Sequence, residues 1–122
     1  MSERPTFRPA QIITAQQGDA DIASDESERI RLALIDGSRC LPAEWSMRHA
    51  PRLASHSDAG VRWAAMFAID VTRGAWRDLT AEDFFDLVRL VGRVAAEDSE
   101  AYVRFMAAEV LTDIIFDLFS TK

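Results

Sequence analysis

The sequence predicts an all-α chain: about five helices in stacked antiparallel hairpins, a solenoid-like fragment, with a compact four- or five-helix bundle as the alternative. Three observations predict it. The phrase Val61-Arg62-Trp63-Ala64-Ala65 returns 42 residues later as Val103-Arg104-Phe105-Met106-Ala107, a period of roughly 40 residues that suits one helical hairpin of a repeat array. Apolar residues recur at steps of three and four, the spacing that lines one face of a helix. No segment sustains period-two alternation, so strand content near zero is expected. At 122 residues the chain is long enough for one hydrophobic core without staples.

Residues 1–23 hold Pro5, Pro9, Gly18 and a polar Gln16-Gln17-Gly18-Asp19 cluster, and read as a mostly irregular arm with a helical turn or two around Ala10 to Gln16. Residues 24–122 read as a single all-α domain. Ser24 or Asp25 can cap a short helix through Ile30, Leu32, Ala33, Leu34 and Ile35, with Gly37 just past its end. Pro42 opens the next helix, through Trp45, Met47, Ala50 and Leu53, which Pro51 should kink or shorten. Ser57-Asp58-Ala59-Gly60 forms a capped turn, and the following helix buries Val61, Ala64, Ala65, Ala68 and Ile69 before Gly74 stops it. Thr80 caps the next, with Glu82 and Asp83 at its positive end and Phe84, Leu87, Val88, Val91 and Val94 as its buried stripe. After a turn at Glu97-Asp98, the final helix buries Val103, Met106, Ala107, Val110, Leu111, Ile114 and Leu118.

A helix, a tight acidic turn and a second helix beginning Val-Arg-x-x-Ala resembles the HEAT repeat of the armadillo/HEAT class. The match covers about residues 42–73 and 80–119, with a weaker half-copy at Ser27-Glu28-Arg29-Ile30-Arg31-Leu32-Ala33. The family pattern has an aspartate in the turn a few residues before Val-Arg. Asp98 fits that spacing, whereas the first copy has His56 there and Asp58 nearer the valine. The resemblance implies that Arg62 and Arg104 brace turn carboxylates, with Asp58 and Asp98 as partners, and that the second helices line one concave face.

Composition narrows function by exclusion. The formal charge of −6 works against binding a phosphate backbone, whose affinity rests on many Lys and Arg contacts, so nucleic acid is not an expected partner. No apolar run approaches the ~18 residues that cross a bilayer, and the first nine residues lack a signal-like stretch; a cytoplasmic protein without membrane contact is expected. Cys40 is the single cysteine and has no second thiol to pair with. His49 and His56, seven positions apart, would stand near 10 Å apart on a straight helix, too far to share a metal. Ser55-His56-Ser57-Asp58 contains the residue types of a hydrolase triad, but adjacent positions seldom converge as a triad must. With no phosphate loop or nucleophile elbow either, no catalytic residue, metal or cofactor is expected.

What remains is a surface. Glu109, Asp113 and Asp117 follow at i, i+4, a like-charge series that costs a few tenths of a kcal/mol per pair and approaches the negative helix end. Projection at 100° per residue sets Phe105, Thr112 and Phe116 away from the buried stripe. In the preceding copy Trp63 aligns with Phe105, and Phe67 with Glu109. One face would then join the aromatics Trp63, Phe67, Phe105 and Phe116 to Thr112 and the acids Asp70, Glu109, Asp113 and Asp117. Aromatics ringed by charge suit a protein-binding patch. The expected function is a non-catalytic module that holds a basic protein partner, such as an immunity or antitoxin-type inhibitor. The alternatives are a self-associating homodimeric subunit and a regulator or enzyme that takes a small molecule near Trp63 or Trp76.

Overall fold

The computed structural model describes residues 11–119, with side chains as far as Asp117. Six α-helices, α1 (Ala15–Ile22), α2 (Ser27–Cys40), α3 (Ala43–Leu53), α4 (Ala59–Val71), α5 (Ala81–Glu97) and α6 (Ala101–Phe119), and a 3₁₀ helix (Arg73–Asp78) make it all-α, with no strand among the described residues. Pro5 and Pro9 and the Leu118 side chain lie outside the described residues. No helix among those described is long and apolar enough to cross a membrane.

Most boundaries follow local chemistry. The Thr80 hydroxyl accepts the Asp83 N–H at 3.1 Å, with Glu82 and Asp83 in the first turn of α5. Asp58 caps α4 by accepting the Val61 N–H at 3.1 Å. α3 stops two residues beyond Pro51, which has no N–H for the helix ladder. The supposedly irregular arm needs correction: α1 occupies residues 15–22, opened by a capping box between Thr14 and Gln17, and its addition makes six α-helices among the described residues rather than about five. The Ser24 or Asp25 cap also gives way. Glu26 precedes α2 without a side-chain cap bond, while the Ser24 hydroxyl donates to the Asp21 carbonyl at 2.7 Å.

Gly37 does not end its helix. α2 continues to Cys40, and no glycine has positive φ. The reason lies in Trp45, which is buried in the angle between α1 and α2. A Cβ on Gly37 would stand 2.2 Å from Trp45 Cζ3, and one on Gly18 2.6 Å from Trp45 Cζ2; both glycines are there so that an indole can lie against bare backbone. The ring N–H donates to Asp19 Oδ1 at 2.9 Å, and His49 Nε2 lies 3.0 Å from the same oxygen. Arg52 can only donate to His49 Nδ1, 3.2 Å away, so the imidazole proton sits on Nε2 and points at Asp19. The bonds from Trp45 and His49 hold the Asp19 carboxyl below its usual range.

The helices pair as α1/α2, α3/α4 and α5/α6, and the second members form a row in which α4 packs against both α2 and α6 as well as α3. Flanked on three sides, α4 has little need of a polar face. Val61, Ala64, Ala65, Met66, Ala68 and Ile69 are all fully buried, and the alanines let neighbouring helices approach closely. Full burial of residues such as Val61, Met66 and Ile69 contributes about 1.5–3 kcal/mol each.

Successive turns are tied by Arg62. Its guanidinium grips Asp98 through two bonds of 2.8 and 3.1 Å and also donates to the His56 and Ser57 carbonyls at 3.0 Å. Both side chains of this pair are largely buried, and the bond to Asp98 raises the Arg62 pKa further. The expected pairing is therefore corrected in part. Asp58 is occupied as a helix cap, so Arg62 takes the carboxylate of the following turn, while Arg104 donates to the Asp98 backbone carbonyl at 2.6 Å.

Candidate functional site

α6 packs on α4 and α5 through Val103, Met106, Ala107, Val110 and Ile114. Its opposite side is also apolar. Phe105 is 77% exposed, Phe116 72% and Ile115 56%. Thr112, which bonds back to the Ala108 carbonyl at 2.9 Å, and Glu109 stand exposed beside them. Eleven residues separate the two phenylalanines, roughly 16 Å along the helix. The outward side of α6 thus mixes large apolar side chains with Glu109 and Thr112, more apolar surface than a solvated helix face ordinarily shows.

Trp63 and Phe67 do not belong to that exposed set. They are 6% and 9% exposed, and their rings stack on one another with centroids 5.5 Å apart. The Arg39 guanidinium sits over Phe67 at 5.2 Å, a cation–π contact. The cause is position in the row: α6 covers the side of α4 that carries Trp63, whereas no described helix covers the equivalent side of α6. Two positions that align in the sequence thus hold a tryptophan inside and a phenylalanine outside. Trp63 still reaches the surface through a groove of about 280 Å³, shared with Tyr102, Phe105, Met106 and Glu109.

The acids of the site are not a free anionic row. Arg73, just beyond α4, lies 3.1 Å from Asp117, 3.6 Å from Asp70 and 4.0 Å from Asp113. Asp70 is half-buried, and its Oδ1 has no hydrogen-bond donor. Burial pushes this carboxyl up to about 7, helped by a hydrogen bond with Asp113 and by the charges of Asp113 and Glu109 and opposed by Arg73. The predicted acids Asp70, Glu109, Asp113 and Asp117 therefore do form one cluster, but the Arg73 guanidinium offsets part of its charge.

Sequence reasoning missed Arg73 and Ile115. Arg73 stands three residues after Asp70, a spacing that places both on one side of a helical turn. Ile115 stands next to Phe116 but outside the stripe of the buried residues, a signal available from the same projection. A second concavity, about 370 Å³, lies between the 3₁₀ helix, the start of α5 and the outer half of α6, with Trp76 in its wall. Compared with known protein families, curated proteins and solved structures, the chain matches none, and its geometry is what bears on its function.

Proposed function

We propose that this chain is a non-catalytic protein-binding module of HEAT-like hairpins whose contact surface is the outer side of α6. The observation that carries the reading is the exposure of Phe105, Ile115 and Phe116 on the side of α6 that faces away from α4 and α5. The row of α2, α4 and α6 and the Arg62 bridge between turns support the repeat reading over a closed bundle. Phe105 and Phe116 serve as anchors, with Trp63 as the floor of the groove beside Phe105. Glu109, Asp113 and Asp117 form a rim that favours a basic partner, by steering encounter and by penalising acidic competitors. An inhibitor of the immunity or antitoxin type, capping a basic toxin domain, is the concrete form of this proposal.

The test is a pair of variants. Glu109→Lys alters the rim without removing a partner of Arg73, and the triple change of Glu109, Asp113 and Asp117 to Lys reverses it. With the chain immobilised against extract from its native cell, a basic companion should be retained by wild type and released by moderate salt. Its retention should fall roughly tenfold with Glu109→Lys and disappear in the triple variant. Unchanged capture and unchanged salt dependence in both would show that α6 is the wrong face. The second reading is self-association, favoured by one specific observation: the register position buried by α6 in α4 stands open in α6 itself, so a second copy could supply the missing neighbour.

A further inference from the structure

The cavity of about 370 Å³ beside the 3₁₀ helix falls in the size range of small-ligand sites. Its walls are apolar and largely aromatic. Trp76 meets Phe84 edge-on at 5.9 Å, and Phe84 meets Phe85 at 6.0 Å in a similar T-shape; Ile114 closes the side toward α6. Phe85 is an exposed large hydrophobic, an expensive placement for a helix residue with no other task. Trp76 is buried, yet its indole N–H has no hydrogen-bond partner. Among the described residues this buried donor has no acceptor, an exception to the usual pairing of buried polar groups.

The charged residues at the cavity point to the sign of its occupant. Arg73, Arg77 and Asp117 contribute to the lining, two cations against one anion in a chain whose net charge is −6. Arg73 is held by Asp117 at 3.1 Å. Arg77 is exposed and makes no ion pair or hydrogen bond among the described residues. A cation left free at the edge of an aromatic hollow complements a ligand with an apolar body and an anionic head.

We propose that the cavity between the 3₁₀ helix, α5 and α6 binds a small amphipathic carboxylate, an aromatic or medium-chain aliphatic acid, with its apolar body against Trp76, Phe84 and Phe85 and its carboxylate at Arg77. The site is independent of the protein-binding reading and meets that surface at Arg73 and Asp117.

The probes are naphthoate and decanoate, each set against its neutral primary amide, and the readout is the indole N–H resonance of Trp76, identified by its loss in Trp76→Phe. Both acids should shift this resonance saturably, and each amide should bind about fivefold to tenfold more weakly, the discrimination expected of one charge-assisted contact. Arg77→Gln should bring acid and amide to the same affinity. Arg93→Gln, an exposed arginine of α5 outside the cavity, should leave the preference intact. No saturable shift with millimolar acid overturns the proposal. So does equal binding of acid and amide by wild type, a preference that survives Arg77→Gln, or a shift produced only by apolar peptides.

Discussion

Asp70 shows how much one side chain depends on what packs above it. In a free helix it would be an ordinary solvated acid, but α6 brings Asp113 and Glu109 toward it and removes water, so its carboxyl titrates near 7. The unfolded chain releases that proton near 3.8. Between those values the fold binds more protons than the unfolded chain, so this group lowers stability as pH rises from about 4 to about 7, with no further loss above. Asp70→Asn keeps a donor for Asp113 and removes the ionisation. It should be more stable than wild type at pH 8 by on the order of 1–2 kcal/mol, with the gain vanishing toward pH 4. Denaturant melts of both proteins across that range check it, and a gain that grew on acidification would contradict the assignment. Nothing in the sequence marks Asp70 out from the other acids, because its titration is set by residues far along the chain.

At the scale of the helices, contacts are decided by where the backbone carries no side chain. Trp45 locks α3 against α1 and α2 only because Gly18 and Gly37 leave room for its ring. The neighbouring atoms belong to a rigid buried indole, so Gly37→Ala cannot be absorbed by a side-chain swing, although alanine is the better helix former by about 1 kcal/mol. The variant should lose about 1–3 kcal/mol by overpacking, visible as a lowered Tm with altered Trp45 fluorescence. Gly92→Ala in α5, where an added Cβ meets nothing, should instead hold or raise the Tm. A Tm for Gly37→Ala at or above wild type would remove the close approach as the explanation. The sequence offers both glycines as breaks, and as breaks they mislead: propensity weighs a glycine by its own flexibility, whereas here its smallness matters. The Thr80 cap and the capped turn at 57–60 were legible because a cap needs only neighbours three positions away.

For the whole molecule, the consequential fact is that a row of second helices has an uncovered member. Trp63 and Phe105 align in the sequence, and they differ in burial as α4, flanked by α2, α3 and α6, differs from α6 at the end of the row. An aromatic side chain of this size represents about 1.5–3 kcal/mol of burial not taken, and two exposed phenylalanines with Ile115 make a patch of the kind that marks interaction sites. If the neighbour is a second copy, the purified chain should sediment as a dimer, and Phe116→Asp should return it to a monomer while leaving the helix content unchanged. If the neighbour is a foreign basic protein, wild type and Phe116→Asp should both sediment as monomers, and only capture of the partner should differ.

The order of the helices after residue 24, the Thr80 cap and much of the buried stripes of α5 and α6 could be read from the sequence. Each depends on spacings within one helix or on a repeat of that spacing, and local periodicity records such things directly. Which aromatic is buried, which acid keeps its proton, which carboxylate Arg62 grips and why Gly37 is a glycine were decided by tertiary structure. These depend on how many neighbours surround a position and how closely their backbones approach. α1 supplies one neighbour of Trp45, α6 covers one side of α4, and no described element does the same for α6. The same motif therefore serves as core in α4 and as exposed surface in α6.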